Sequence, residues 1–510
     1  MDSKISLNHY ISLFHHLLVF VTLIFKKIIN FNKIGELTMN QENQRNILLD
    51  QLIDIPKLLN YPKIKELENQ YPKQFITDMT RNEREKLRES IILADEQELQ
   101  NINIDSELLV EKIAYKIRFQ FKPSVAPAIN AAGIILHTAL GRAPLCQEAQ
   151  DAIAATIKNY CTLAIDRKTG KRGDRFAHVE ELLCYLTGAE AAAVVNNNAG
   201  ATMLVLNTMA NGKEVIISRG QLIEIGGSYR IPDVISQSGA IMVEVGTTNK
   251  THLWDYQNAV TENTGLLLRV HTSNYQIVGF TSDVPLKKLV ELGKKYDLPV
   301  VDDIGSGCLI DFKKYGLPAE PMVQDSIKDG ADLVAFSGDK ILSGPQCGII
   351  VGKKRFINPI KRNPLTRALR CDKLTFAALE ATLKLYLDEE KLHERHPVLR
   401  LLTIPVQRLS NRSRTFKRNL KDILIGKCNL NVVDGYSQLG SGSLPAQYIP
   451  TKLISLKPFE MSAETLAAKL RDNDPPIFTR IVDDEVLFDL RTIHTNETKL
   501  VVEAIKNIFS

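Results

Sequence analysis

A lysine follows an apolar run near the middle of the chain. The run ADLVAF (331–336) predicts a buried strand and leads into SGDK, so Lys340 comes just after the carboxyl end of that strand. Open α/β sheets bind their ligands at this edge. Gly338 precedes the lysine, and GPQCGIIVG (344–352) predicts a return strand that would hold it rigidly. Burial lowers the pKa of a lysine, and a deprotonated amine can attack a carbonyl carbon.

An acidic pair precedes this lysine by 37 residues. Asp303 lies near the end of the apolar run LPVVDDI (298–304) and is followed by the tight turn GSG. A carboxylate at that position can keep a pyridine nitrogen protonated. Asp302 points to the opposite face of the strand, because side chains alternate along a strand. We therefore expect Asp303 to face the ligand, with a helix or turn cap as the alternative role.

An earlier strand pattern, AAAVV (191–195), ends in NNNAGAT (196–202) and predicts the start of a helix. Free backbone N–H groups at a helix start bind phosphate, side-chain amides can add to them, and small residues allow close approach. The candidate phosphate ligands are Asn197, Asn198, Ala199 and Gly200. A phosphate loop, an acid and a lysine in this order predict an enzyme that carries pyridoxal 5′-phosphate (PLP) on Lys340 and acts at Cβ of an amino acid.

A second anion site is predicted in KKRFINPIKRNPLTRALR (353–370), which has seven basic residues and no acid. Arg367 and Arg370 are three residues apart and are predicted to share a helix face, from which they can bind a tetrahedral anion. A solvated basic surface is the alternative. Arg142, in the glycine-containing turn of HTALGRAPL (137–145), is a further candidate.

The elements that position these residues alternate after Pro123 and Pro127. Short apolar strands and longer helical patterns predict an α/β fold, with a mostly parallel sheet covered by helices on both faces. The other predicted strands are EVIIS (214–218), AIMVEV (240–245) and GLLLRV (265–270), and PLKKLVELGKKYD (285–297) is a predicted covering helix.

The length of 510 residues predicts several domains. We assign residues 1–38 to an upstream extension, 39–122 to a helical domain, 123–395 to the large ligand-binding domain and 396–510 to a smaller α/β domain. The net charge of +5 does not by itself predict a nucleic-acid partner. Seven cysteines without a CxxC pair indicate reduced thiols and no metal site.

One segment bears on localisation. Residues 11–25 are apolar, but a membrane span needs about 20 such residues, and Met39 begins a plausible start of a soluble protein. We therefore expect a cytoplasmic protein without a stable membrane partner.

Separated blocks of the sequence together carry a family resemblance. They include INAAGIILHTALGRAPL (129–145), GKRGDRFAHVEELLCYLTGAEAAAVVNNNA (170–199), EIGGSYRIPDV (224–234), VGTTNKTHL (245–253), VHTSNYQIVGFT (270–281), DIGSG (303–307), SGDK (337–340), GPQCGIIVGKK (344–354), PLTRALRCDK (364–373) and SQLGSGSLP (437–445). From about Asn46 to its end, the chain resembles the bacterial selenocysteine synthases, the L-seryl-tRNA(Sec) selenium transferases.

The resemblance implies a PLP-dependent transferase of fold type I, with Lys340 as the lysine that binds the cofactor and Asp339 beside it. It also implies that Arg142, Arg367 and Arg370 bind a selenophosphate-type anion. An N-terminal helical domain would engage tRNA(Sec) charged with serine. The subunits would form a ring of dimers, a decamer, with active sites between subunits.

The implied reaction converts L-seryl-tRNA(Sec) to L-selenocysteinyl-tRNA(Sec). Water is eliminated through an aminoacrylyl intermediate, and selenium from selenophosphate then adds at Cβ. Ala132 and Ala139 depart from the family pattern, which usually has Thr and Asn there. Two alternatives remain open: a related PLP lyase that acts on a small amino acid or amino sugar acid without tRNA, and a non-catalytic RNA-binding protein of the same fold.

Overall fold

The computed structural model describes residues 42–227, 229–442 and 448–510. The chain divides into two compact units between Ala126 and Pro127, whereas the pattern of residues predicted this boundary after residue 122. The apolar segment 11–25 and the predicted extension 1–38 lie outside the described residues. No helix within the described ranges is long and apolar enough to cross a membrane.

The N-terminal unit is helical, as predicted. Its helices are α1 (42–51), α2 (Ile55–Leu59), α3 (Pro62–Leu67), α4 (Lys73–Leu93), α5 (Glu96–Asn101) and α6 (Ser106–Phe121). Asp95 begins α5 with a capping box that includes Glu98, and the carboxylate of Asp105 caps α6. The apolar faces of α4 and α6 form the core together with α2 and α3.

The second unit contains strands β1 (Ile129–Asn130), β2 (Ala191–Val195), β3 (Glu214–Ser218), β4 (Glu224–Ile225), β5 (Tyr229–Arg230), β6 (Ile241–Val245), β7 (Thr264–Val270), β8 (Val300–Gly305), β9 (Leu333–Ser337), β10 (Gly348–Gly352), β11 (Cys428–Ser437), β12 (Ile449–Pro458), β13 (Ile477–Phe478), β14 (Arg480–Val482) and β15 (Glu485–Asp489). Its helices are α7 (Gln147–Ile157), α8 (Glu180–Thr187), α9 (Asn198–Ala210), α10 (Ile231–Gln237), α11 (Leu253–Ala259), α12 (Leu286–Tyr296), α13 (Val323–Asp329), α14 (Lys354–Arg362), α15 (Pro364–Ala368), α16 (Lys373–Leu385), α17 (Glu389–Arg395), α18 (Pro397–Leu402), α19 (Val406–Leu424), α20 (Ala463–Arg471) and α21 (Thr498–Phe509).

The larger sheet has seven strands in the order β2-β10-β9-β8-β7-β3-β6. All neighbouring strands are parallel except β10, which runs antiparallel between β2 and β9. This confirms the predicted α/β fold, and every predicted strand before residue 353 belongs to this sheet. Because β2, β9 and β10 are buried along their whole length, apolar side chains are favoured at every position.

The smaller sheet is antiparallel, in the order β11-β12-β15-β14, and has its own apolar core with α19, α20 and α21. Ser462 caps α20 by accepting a hydrogen bond from the Thr465 N–H. The strand β1 pairs with β13, so the chain passes through this region before it enters the large sheet.

Candidate active site

A cavity of about 300 Å³ lies where β7, β8 and β9 of the large sheet end. Its polar lining residues are Thr138, Arg142, Asn197, Asn198, Tyr229, His271, Ser273, Asp303, Ser337, Asp339, Lys340 and Gln346. The predicted lysine, acid and helix start therefore face one space, although they lie in separate parts of the sequence.

Backbone hydrogen bonds fix the loop after β9 that carries Lys340. Gly338 N–H donates to the Cys347 carbonyl, and Gly344 N–H donates to the Gly338 carbonyl, each at 2.8 Å. A Cβ at Gly338 would lie 2.4 Å from the Cys347 sulfur, so only glycine fits. Lys340 itself is 6% exposed, and burial, with a further contribution from Arg142, lowers its pKa. A buried lysine of this kind is readily available as a neutral amine.

An ion pair lies beside this lysine. Arg142 donates to a carboxylate oxygen of Asp339 at 2.5 Å, and both side chains are mostly shielded from solvent. Arg142 has a φ of 63°, in the left-handed region that non-glycine residues seldom adopt. The turn at residues 137–142 thus directs a guanidinium group into the cavity at some conformational cost.

Asp303 is buried on β8 and accepts three hydrogen bonds, from Asn198 Nδ2 at 2.9 Å, from Thr202 Oγ1 at 2.7 Å and from the Gly305 N–H at 3.2 Å. Burial nevertheless raises the pKa of its carboxyl group. No ion pair to Asp303 forms among the described residues. Asp302 lies on the other face, where Arg269 donates to it at 3.0 Å and Ser326 at 2.7 Å. A cationic ligand atom next to Asp303 would relieve the cost of burying that carboxylate.

The start of α9 differs in detail from the prediction. Asn197 caps the helix by accepting a hydrogen bond from the Gly200 N–H at 2.8 Å. The side-chain amide of Asn198 donates a hydrogen bond to Asp303. The backbone N–H groups of Asn198 and Ala199, in the first turn, have no partner within the helix and remain available for an anion. Gly200 is buried and is not among the cavity-lining residues.

The polar groups of the cavity match the functional groups of PLP. The amine of Lys340 suits the aldehyde, Asp303 suits a protonated ring nitrogen, and the first turn of α9 suits the phosphate. Among the described residues that line the cavity, three buried polar atoms lack a hydrogen-bond partner: Asn198 Oδ1, the Tyr229 hydroxyl and His271 Nε2. Sequence reasoning assigned no role to His271 or Tyr229, although both lie within blocks that carried the family resemblance.

The predicted arginine pair is not in this cavity. Arg367 and Arg370 line a separate cavity of about 380 Å³ together with Arg172, Arg175 and Lys361. The prediction that the pair shares a helix face is wrong. The helix α15 ends at Ala368, the Leu369 carbonyl accepts the Asn196 N–H, and Arg370 forms a β-bridge with Val195.

The cationic character of this second cavity is nevertheless marked. Burial, and then repulsion from Arg370, Arg172 and Arg367, lower the pKa of Arg175. Lys361 is partly neutralised, because it contacts both carboxylate oxygens of Glu180 at 2.7 Å. The arginines therefore leave an excess of positive charge around a space that could receive an anion.

The fold and the Lys340 cavity define a PLP-dependent enzyme of fold type I. Residues 128–494 match the SelA family model, described as L-seryl-tRNA selenium transferase. The chain is 48% identical over 461 residues to the L-seryl-tRNA(Sec) selenium transferase of Alkaliphilus metalliredigens, covering 90% of this chain and 98% of that protein. It is 45% identical over 450 residues to the protein of the same name from Carboxydothermus hydrogenoformans, covering 88% of this chain and 95% of the relative. The chain belongs to the L-seryl-tRNA(Sec) selenium transferase family.

A solved structure of D-glucosaminate-6-phosphate ammonia-lyase is similar in fold, with a TM-score of 0.53 and 19% sequence identity. The match covers 77% of this chain and 98% of the lyase. Membership of the transferase family makes PLP the cofactor of this chain.

The low pKa of Lys340 predicts how the apoprotein captures PLP. Only the neutral amine reacts, so the capture rate rises with pH and levels off above the pKa of Lys340. Arg142→Gln removes a nearby cation, which raises that pKa and moves the midpoint of the profile to higher pH. Stopped-flow absorbance of PLP binding across pH measures the shift. Arg471→Gln, an exposed arginine on α20, is the matched control; a midpoint in Arg142→Gln that is unchanged or lower would contradict the prediction.

Proposed function

We propose that this chain converts L-seryl-tRNA(Sec) to L-selenocysteinyl-tRNA(Sec) in the cytoplasm, with selenophosphate as the selenium donor. The observation that carries the proposal is the grouping of Lys340, Asp303 and the Arg142–Asp339 pair around one cavity, in a chain that belongs to this transferase family. The helical unit at residues 42–126 would bind the tRNA.

When bound, PLP accepts electron density from Cα, which permits loss of the Cβ hydroxyl group and addition of selenium at the same carbon. The residues of this chain prepare that chemistry. Asp303, held by Asn198 and Thr202, would keep the ring nitrogen protonated. The backbone at the start of α9 would bind the phosphate.

Lys340 and Asp339 handle the proton at Cα in this proposal. Lys340 would hold the cofactor, and when it is not bonded to the cofactor its Nζ could accept a proton. Its depressed pKa places it closer to the working pH than an ordinary lysine, which favours reversible proton transfer. Asp339 is the alternative acceptor, and its contact with Arg142 fixes its position next to the lysine.

The donor anion requires positive charge near Cβ. Arg142 supplies it from within the cavity, while Arg367 and Arg370 line the separate arginine cavity of the same subunit. We propose that Arg367 and Arg370 of one subunit complete the Lys340 cavity of a neighbouring subunit, in a decamer built as a ring of dimers. Such shared sites make oligomerisation a condition for activity.

Mixing two inactive variants tests the shared site. Lys340→Ala and the double variant Arg367→Gln with Arg370→Gln each lack one half of every site. In randomly mixed oligomers about a quarter of the sites combine both intact halves, so about a quarter of the activity per site returns. Separately tagged subunits and a two-step pull-down confirm mixing. Mixed oligomers that remain inactive would show that the arginines do not act across the interface.

The function is tested with purified holoenzyme, seryl-tRNA(Sec) and selenophosphate. We expect selenocysteine on the tRNA, detected after mild alkaline release from the ester and mass spectrometry. Seryl-tRNA(Ser) and free serine serve as control substrates and should remain unconverted. If free serine yields pyruvate and ammonia while the charged tRNA is unchanged, the chain is a lyase and the proposal fails.

A further inference from the structure

One stretch of the second unit concentrates positive charge. Between His396 and Ile425 there are seven Lys and Arg residues and one acid, whereas the whole chain has 64 basic and 59 acidic residues. Most of this segment is the 19-residue helix α19, which buries Leu409, Phe416 and Leu420 against the smaller sheet. The cations therefore lie on the remainder of the helix surface.

The spacing places four of these cations on one exposed face. At 100° per residue, Arg408, Arg414, Arg418 and Lys421 fall within an arc of about 140° on the side away from the buried leucines. All four are exposed. We call them the α19 cationic face. They extend along about 20 Å of helix, a length that can reach several successive phosphates of a nucleic-acid strand.

The four cations of this face have no acidic partner within the described structure. None of the four makes an ion pair there, although many exposed cations elsewhere do, such as Lys314 with Glu389 and Arg395 with Glu148. Asp422 is the only acid on α19. The like charges on this helix face repel one another, and a bound anion would reduce that repulsion.

A cavity of about 460 Å³ continues the face at the N-terminal end of α19. Its lining includes the basic residues Arg400, Arg408, Arg412, Arg491, His393 and His494 and one acid, Glu394. Arg491 is buried and donates to the carbonyls of Leu401 and Pro450, and Arg412 donates to the carbonyls of Leu490 and Ile493. These two guanidinium groups bond to neutral acceptors and so form a positively charged wall. Arg400 and Arg408 are exposed at its mouth.

The chemistry of the face favours RNA over a protein or a membrane. From Arg408 to Asp422 the exposed residues besides the cations are polar, such as Asn411 and Thr415, and none is a large apolar residue. Protein interfaces and membrane-binding helices need apolar anchors, whereas arginine and small polar side chains are typical ligands of a phosphodiester backbone.

We propose that the α19 cationic face and the adjoining cavity bind the phosphate backbone of the tRNA substrate, as a second RNA contact outside the N-terminal helical unit. The inference rests on the proposed function, because it assigns a further surface to the same substrate. It places one phosphate contact at each exposed arginine and leaves the recognition of bases to other residues.

The test compares the wild-type holoenzyme with a double variant that carries both Arg414→Gln and Arg418→Gln. Fluorescence anisotropy with labelled seryl-tRNA(Sec) gives Kd over a range of salt concentrations. Loss of two phosphate contacts lowers the slope of log Kd against log salt by about 2 and raises Kd about tenfold near 0.15 M salt. The matched control is Lys384→Gln with Lys391→Gln, exposed cations on α16 and α17 that make local ion pairs; it should keep the wild-type slope.

The outcomes separate the two proposals. If wild-type protein fails to bind the charged tRNA, the proposed function itself fails. If wild-type and the α19 double variant bind with the same Kd and slope, the function stands and this inference is overturned. If the double variant instead changes the oligomer mass measured by light scattering while RNA binding is retained, the face is a protein interface and the inference is likewise overturned.

Discussion

Replacing Lys340 with alanine abolishes turnover, by at least about 10³-fold, because the cavity loses both its attachment point for PLP and its proton acceptor. No other lysine is among the described residues that line the cavity. Lys340 is buried and makes no ion pair in the described structure, so its removal should leave the fold intact.

Two measurements check this result. Absorbance of the purified protein should lack the visible band of lysine-bound PLP, and single-turnover assays with seryl-tRNA(Sec) should give no product. Lys313→Ala, at an exposed position, is the control for expression and handling and should retain both signals. Normal turnover by Lys340→Ala would refute the assignment of the cofactor lysine.

Asp303→Asn is expected to lower kcat by about 10²–10³-fold, equivalent to about 2.7–4 kcal/mol of transition-state stabilisation. The neutral amide cannot hold a proton on the ring nitrogen, so the ring accepts electron density from Cα less well. The apoprotein should not be destabilised, because the raised pKa shows that burying this carboxylate is unfavourable.

A chemical rescue makes the Asp303 prediction specific. A PLP analogue with a methyl group on the ring nitrogen is always cationic and should restore part of the lost activity in Asp303→Asn. The neighbouring variant Asp302→Asn is the contrast: it leaves Arg269 without its carboxylate partner and should cost up to about 3 kcal/mol of folding stability, with the cofactor spectrum unchanged. A failure of the analogue to rescue, or an altered spectrum in Asp302→Asn, would count against the assigned roles.

The large sheet could be predicted from the sequence because its strands are buried on both faces. Runs such as AAAVV and ADLVAF are apolar at every position, and such runs bounded by turns indicate central strands. The order of the strands could not be read from these runs. The strand β10 pairs with the nearby β9, but its pairing with β2 joins residues more than 150 positions apart, for which local patterns carry no signal.

The site could be predicted only where a backbone element directs the side chain. Asp303 and Lys340 follow from strand ends, and the structure brings both to the same cavity. Arg370 could not be placed, because the helical spacing from Arg367 is interrupted when the Leu369 carbonyl pairs with Asn196. His271 and Tyr229 come from short connections or strands whose directions are set by the tertiary fold. The α19 cationic face was not predicted, because the net charge of the whole chain is close to zero and does not reveal a local excess of cations.

Asn198 belongs to two parts of the site at once. Its backbone opens the helix that faces the phosphate, and its side chain donates to Asp303 at 2.9 Å. Asn198 would therefore contribute to holding both the phosphate end and, through Asp303, the ring end of the cofactor. An analogue with a longer or shorter link between ring and phosphate should therefore bind less tightly, because it could not make both of these contacts at once.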